Sequence, residues 1–121
     1  MQNPQLLIVT TPTVAGYRIT GVYGEVFGVV VRSRGLAGNL MAGLRSIGGG
    51  EIHEYTQLLE QTRNDALARM AERALQRGAN AVVSMRFDSS AIGDVMSEIV
   101  AYGTAVAVVP ETAAQGSPAQ E

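Results

Sequence analysis

The pattern of apolar and polar positions predicts strands towards both ends of the chain and helices between them. An apolar run at residues 5–11 predicts a short strand that Pro12 stops, because proline has no N–H to donate to a neighbouring strand. Residues 17–34 are rich in Val, Ile, Tyr and Phe, which strands favour. Glycines interrupt this stretch, so it is either one long strand bent by bulges or a hairpin that turns near Tyr23 and Gly24. We favour the bent strand, because the Gly-Glu pair at this point is a weak turn signal.

Two segments in the middle of the chain have helical spacing. Residues 35–47 place leucine and methionine three and four positions apart, which predicts a short helix that the three glycines at 48–50 end. Residues 54–77 place apolar or small residues at i, i+3 and i+4 steps and charged residues at most other positions. This second pattern predicts a long amphipathic helix, and Gly78 supplies the residue that closes it.

Charged residues on the long helix are expected to stabilise it locally. Asp65 and Arg69 stand four positions apart, which is the spacing of an intrahelical ion pair that contributes roughly 0.3 kcal/mol. Arg73 and Arg77 lie in its last turn, where positive charge complements the negative end of the helix dipole.

After the helix the apolar residues alternate with a period of two. Residues 81–88 predict a half-buried strand, residues 89–94 a hairpin loop and residues 95–109 a second long strand. The last strand has one bulky side and one side of small residues, which indicates that it packs on both faces. We therefore expect a single domain at residues 5–110, between a frayed segment at 1–4 and a disordered low-complexity tail at 111–121.

This order of elements predicts an α+β domain in which a long and a short helix cover one face of an antiparallel-rich sheet. Such a sheet keeps open edges and a bare second face. The chain contains no Lys and only four Pro, and these are residues that proteins use to blunt sheet edges. The physical inference is homo-oligomerisation, in which protomers cover one another.

The composition excludes several chemistries. All nine basic side chains are Arg, there is one His, and Cys and Trp are absent. Without Lys there is no Schiff-base nucleophile and no Walker-type phosphate loop. Without Cys there is no disulfide, thiol nucleophile, zinc ribbon or iron–sulfur site.

Charge and hydropathy limit the partners and the compartment. The formal net charge is −2 with a pI near 5.4 and without a basic run, so nucleic acid is not expected as a partner. No apolar stretch approaches the roughly 18 residues of a membrane span, and residues 1–4 do not resemble the start of a signal peptide. We therefore expect a cytoplasmic protein.

Several distinctive motifs are spread over residues 8–109. They are TTPT at 10–13 with GY at 16–17, GVVVR at 28–32, AGLRSIGGGE at 42–51 with Tyr55, GANAVV at 78–83 and AYGTAV at 101–106. Together these motifs resemble the YbjQ family of small bacterial proteins. The resemblance implies a dodecin-like α+β subunit that assembles into a homo-oligomeric ring, as a pentamer or as stacked pentamers. It also implies heavy-metal binding without an established activity. Soft metals prefer thiolates or several imidazoles, and one chain supplies neither.

The first candidate metal site comprises Glu51, His53 and Glu54 at the start of the long helix. It offers two carboxylates and one imidazole, and a ring would bring several copies together. Such a donor set suits zinc, manganese or nickel better than copper(I). The alternative is an interhelix loop whose carboxylates complement the helix N-terminus.

The second candidate comprises Asp88, Asp94 and Glu98 around the predicted hairpin loop. Hard cations prefer carboxylate oxygens, whereas Asp is also an ordinary turn residue. These carboxylates would also be the acid–base residues if the chain were an enzyme.

Taken together, the sequence favours a non-enzymatic oligomeric binding protein with a divalent or heavy metal at intersubunit sites. The alternative is a scaffold ring that binds a protein partner and no metal. No cofactor other than a divalent metal is indicated.

Overall fold

The computed structural model describes residues 6–33, 53–92 and 96–112, and for residues 33, 53–55 and 92 it describes the backbone alone. The elements in these ranges are β1 (Leu7–Ile8), β2 (Tyr17–Ser33), α1 (His53–Gln76), β3 (Ala81–Ile92) and β4 (Met96–Pro110). The strands form one mixed sheet in the order β1-β3-β4-β2, in which only β1 and β3 are parallel. The predicted α+β class is confirmed. The short helix predicted at 35–47 lies outside the described residues.

Strand β2 is a single bent strand, as predicted, and the hairpin alternative is wrong. It pairs with β4 along its whole length, with register shifts between Ile19 and Gly21 and between Val22 and Gly24. Gly24 has a φ of 99°, a conformation that glycine adopts without the steric penalty of a side chain. The glycines therefore bend the strand and do not reverse it.

Strand β3 is longer than the sequence predicts. Ser89 pairs with Ile99 and Ser90 pairs with Glu98, so the hairpin loop predicted at 89–94 is wrong for residues 89–92. Serine is common in turns, but here the backbone hydrogen bonds to β4 decide the conformation. Only residues 93–95 separate the two strands.

Helix α1 packs closely on one face of the sheet. Gly28 of β2 lies directly under the helix backbone, where an added Cβ would overlap Ala66 O and stand 2.5 Å from Met70 N. The buried residues of this layer are mostly small or β-branched: Val26, Val30, Ala66, Met70, Ala74, Ala79, Val82, Ala101 and Ala105. The small side of β4 thus faces the helix and permits the close approach.

The helix ends as its sequence predicts. Gly78 has a φ of 89°, and its N–H donates to Leu75 O at 2.9 Å. The next N–H, from Ala79, donates to Ala74 O at 3.1 Å. A left-handed glycine therefore satisfies carbonyls that the helix end would leave unpaired. No helix in the described part of the chain is both long and apolar enough to cross a membrane.

A second, smaller core lies on the opposite face at one end of the sheet. The segment after β1 folds over this end, and Ser84 N–H donates to Thr11 O at 2.9 Å while Met85 N–H donates to Val9 O at 3.0 Å. Ser84 sits at a bulge with a φ of 57°. The buried residues here are Val14, Ala81, Val83, Val106 and Val108. At this end β4 packs on both faces, as predicted.

In the motif GAN at 78–80, the side chain of Asn80 makes hydrogen bonds to the backbone of β4 like those of a neighbouring strand. The Asn80 side-chain amide donates to Val108 O at 2.9 Å, and its carbonyl accepts from Val108 N–H at 2.8 Å. Asn80 thereby joins the end of α1 to β4 just before β3 begins. Only an amide can make the pair, because a carboxylate could accept from Val108 N–H but has no N–H to donate to Val108 O.

We expect Gly28→Ala to lower the free energy of unfolding by about 3 kcal/mol or to prevent folding, because the helix backbone cannot move away cheaply. Urea denaturation measures the difference. Gly21→Ala in the same strand is the control, since its Cβ would meet Ala107 Cβ at an ordinary 3.8 Å. Equal stability of the two variants would contradict the close packing of α1 on β2.

We expect Asn80→Asp to lower the free energy of unfolding by about 2 kcal/mol at neutral pH, because a carboxylate would face the Val108 carbonyl. Thermal denaturation checks it. Asn64→Asp, on the exposed surface of α1, is the matched control and should change stability by less than about 0.5 kcal/mol. An unchanged melting temperature for Asn80→Asp would show that the two hydrogen bonds of the Asn80 side chain contribute nothing to stability.

Candidate functional site

The first predicted metal cluster lies almost entirely outside the described residues. His53 and Glu54 are the first residues of α1, and their side chains are not described. Glu51 lies outside the described ranges. Their predicted role at the start of the helix therefore stays a prediction.

The second predicted cluster does not surround a loop. Asp88 and Glu98 lie in paired strands, where Asp88 stands opposite Val100 and Glu98 opposite Ser90, and Asp94 is outside the described residues. Asp88 Oδ1 accepts from Ser89 N–H at 3.0 Å, and Glu98 Oε1 lies 3.5 Å from Ser90 Oγ. Asp88 and Glu98 are therefore diagonal neighbours on the two strands, and the Cα atoms of such neighbours stand about 7–8 Å apart. Within the described ranges, no three His, Cys, Asp or Glu residues come together as a metal site.

Asp88 also lines an open depression between α1 and β3, with a volume of about 150 Å³. Arg63 from the helix covers one wall, with its guanidinium carbon 5.0 Å from the centre of the Phe87 ring. Of the two members of the predicted acidic set that the structure describes, Asp88 lines this depression and Glu98 does not.

Exposed apolar side chains lie on the face of the sheet that α1 does not cover. Directly paired residues share a face, so the register brings apolar residues of β2 and β4 together there, with Glu98 opposite Val31 among them. These apolar residues are Phe27, Val29 and Val31 on β2 and Met96, Val100 and Tyr102 on β4. We call these six residues the open face.

The open face is exposed to an unusual degree for apolar side chains. Phe27 is 43% exposed and Val31 48% exposed, and the buried core that α1 forms with the sheet lies on the other side of these strands. Charged residues of both signs share this face: Arg86 and Asp88 of β3 lie beside Tyr102 and Val100, and Glu98 lies opposite Val31. Exposed apolar side chains gathered on one face are typical of a surface that another protein covers.

One ion pair on the helix differs from the sequence prediction. Asp65 pairs with Arg32 of β2, with Oδ2 and Nη2 3.0 Å apart, and not with Arg69. Arg32 Nε also donates to Thr62 Oγ1 at 3.1 Å, and this hydroxyl donates to Leu58 O at 2.8 Å. The charges of α1 thus hold the end of β2 instead of pairing along the helix.

Sequence reasoning missed a row of arginines that reaches the outer edge of β2. Its members stand four residues apart, and each donates to backbone carbonyls of the strand: Arg69, Arg73 and Arg77. The regular spacing is visible in the sequence, but the sequence predicts that Arg73 and Arg77 complement the helix dipole and that Arg69 pairs with Asp65. Nothing local to the helix identifies the strand carbonyls as the acceptors.

The fold defines the class of this protein as a small α+β subunit with a four-stranded mixed sheet, one described helix and an apolar face left open. Residues 6–109 match the family YbjQ_1, described as "Putative heavy-metal-binding". The chain belongs to this family, as its motifs indicate.

Similar proteins extend the family beyond bacteria. A UPF0145 protein of Methanocella arvoryzae is 62% identical over 109 residues, which cover 90% of this chain and 91% of that protein. A UPF0145 protein of Bradyrhizobium sp. is 60% identical over 108 residues, covering 89% and 97%. Because archaeal relatives occur, the description of the family as bacterial is too narrow.

One solved structure has a similar fold. It is a protein of unknown function from Pediococcus pentosaceus, assigned to the DUF74 family, with a TM-score of 0.56 and 13% sequence identity. The match covers 86% of this chain and 98% of that one. At this identity the likeness concerns the fold alone.

Proposed function

We propose that this chain is a non-enzymatic binding protein that works as a closed homo-oligomer, in which a neighbouring copy covers the open face of each subunit. The observation that carries the proposal is the exposure of Phe27 and Val31 beside the half-buried Val29 and Val100. Apolar side chains gathered on one sheet face are stabilised when a partner removes them from water.

A second copy is the occupant that the charges favour. The same face carries Arg86 and Asp88 on β3 and Glu98 on β4, so two copies can offer each other opposite charges. Surfaces that carry both signs can be self-complementary, and soluble homo-oligomers usually close by symmetry. The finer form of the assembly, a dodecin-like ring of five subunits or two stacked rings, rests on the family resemblance.

The metal that the family description implies fits this chain only in part. The chain has no Cys and one His, so one subunit cannot supply the thiolates or imidazoles that soft heavy metals prefer. A borderline divalent cation such as zinc or nickel accepts imidazole with carboxylates. We therefore place the proposed site between subunits, with His53, Glu51 and Glu54 contributed by more than one copy.

We expect the wild-type protein to have the mass of a discrete oligomer at micromolar concentration and Val31→Glu to lower this mass, because a charge would be buried in the interface. Light scattering after size-exclusion chromatography measures it. Leu59→Glu is the matched control: Leu59 is 41% exposed but lies on α1, so this variant should keep the wild-type mass.

Two results would contradict the oligomer. A wild-type monomer at micromolar concentration would refute self-association altogether. A wild-type mass for folded Val31→Glu would show that copies do not meet through the open face.

We expect His53→Ala to weaken the binding of zinc or nickel at least about tenfold, because imidazole is the strongest neutral donor of the proposed set. Calorimetry with each metal ion and metal analysis of the purified protein measure the affinity and the occupancy. Asp88→Asn is the control and should bind as the wild type does. Equal binding by His53→Ala would remove this residue from the site, and no binding by the wild type would leave the scaffold ring without metal as the better account.

A further inference from the structure

The row formed by Arg69, Arg73 and Arg77 lies along the outer edge of β2. All three guanidinium groups donate from Nη1 to backbone carbonyls of this strand. The bonds run from Arg69 to Val29 O at 2.6 Å, from Arg73 to Phe27 O at 3.2 Å, and from Arg77 to Glu25 O at 2.9 Å and Tyr23 O at 3.1 Å.

The geometry of helix and strand makes this row regular. Four residues of an α-helix rise about 6 Å, and two residues of a strand advance about 6.7 Å. Because α1 and β2 run in opposite directions, each four-residue step up the helix meets the carbonyl two residues back along the strand. One arginine is therefore available for each outward-pointing carbonyl from Val29 to Glu25.

These carbonyls belong to an edge that would otherwise be open. β2 is the last strand of the described sheet and the longest, with 17 residues. In an antiparallel strand the N–H and C=O of alternate residues point away from the paired neighbour. A long edge with exposed apolar residues such as Val22 and Phe27 is a template for pairing with another chain.

We propose that Arg69, Arg73 and Arg77 form an edge cap that closes β2 to strand addition and leaves the open face as the surface through which copies associate. An incoming strand would have to replace charge-assisted hydrogen bonds, which are stronger than those between two backbone groups. It would also lie against three positive charges. The ion pair in the described part of the chain joins Arg32 and Asp65 and involves none of the three row arginines. The row is therefore held in place by its hydrogen bonds to the strand carbonyls.

Arg73 adds a second element to the cap. Its guanidinium carbon lies 5.3 Å from the centre of the Phe27 ring, while its Nη1 donates to the carbonyl of the same residue. The side chain therefore wraps around the edge and covers part of the exposed ring. Cation–π contact and hydrogen bond together fix the guanidinium where an added strand would have to lie.

Part of the opposite edge of the sheet is covered by different means. β1 has two residues and pairs with Ala81 and Val82 of β3, and the chain after it curls over β3, where Arg86 Nη1 donates to Thr10 O at 3.0 Å. A very short edge strand offers little to an incoming chain. This side is thus covered at the start of β3, whereas the edge of β2 depends on the arginines.

The test is the triple variant Arg69→Gln, Arg73→Gln and Arg77→Gln. We expect it to keep the circular dichroism of a folded protein but to form species whose mass grows with concentration. Thioflavin T fluorescence should rise roughly tenfold or more above the wild type, because the freed edge pairs with other chains. Loss of three positive charges makes a net charge of −2 more negative, which by itself would oppose association, so charge alone predicts the reverse.

Two control variants separate the cap from general effects of charge. The double variant Arg18→Gln and Arg63→Gln removes positive charge away from the row and should behave as the wild type. Replacement of the three row residues by Lys keeps the charge, and we expect intermediate growth because an ammonium group cannot both donate to the carbonyl and stack as a plane.

A triple Gln variant that is folded and keeps the wild-type mass at all concentrations would overturn the edge cap. Should this variant unfold, the double variant Arg69→Gln and Arg77→Gln decides by the same readouts. The comparison is always with the wild type at the same concentration, so it holds whether the wild type is a ring or a monomer. Failure of the proposed oligomer and failure of the edge cap are therefore distinguishable.

Discussion

The close contact between α1 and β2 at Gly28 is the constraint on which the rest of the structure depends. The absent side chain lets the helix backbone at Ala66 and Met70 lie directly on the strand. The neighbouring core positions Ala74, Ala101 and Ala105 are completely buried and equally small. A thin layer of this kind holds helix and sheet at short distance, and only then can arginine side chains of the helix reach the backbone of the edge strand.

The same contact determines which surface remains for binding. Helix α1 lies against β2, β4 and β3 on one face of the sheet, and the segment that follows β1 packs on the other face around Val106 and Val108. The remaining part, centred on Val29 and Val100, stays open. Because the arginine row occupies the outer edge of β2, we propose the apolar face, and not this edge, as the surface that another copy covers.

Local patterns predicted the elements, whereas the pairing between distant residues was beyond them. The spacing of α1 and the glycines of β2 were sufficient for a helix that Gly78 ends and for a bent strand. Asp65 was assigned to Arg69, four residues away, but it pairs with Arg32, 33 residues away. The serines at 89 and 90 suggested a turn because their pairing with β4 is not encoded locally. Local patterns cannot identify the partners of the predicted metal residues either, because these partners would come from other copies of the chain.

The absence of lysine has a different meaning once the edge is understood. The sequence suggested open edges because lysine, which often blunts them, is missing. β2 does lie at an edge of the described sheet, and in the edge cap that we propose arginine takes the role of lysine. A guanidinium group is planar and weakly hydrated, so Arg73 can donate to a carbonyl and lie over Phe27 at the same time. A lysine ammonium is a compact and strongly hydrated charge that would extend into water. The arginines therefore protect the edge by occupying its acceptors, which is a more specific means than placing charge nearby.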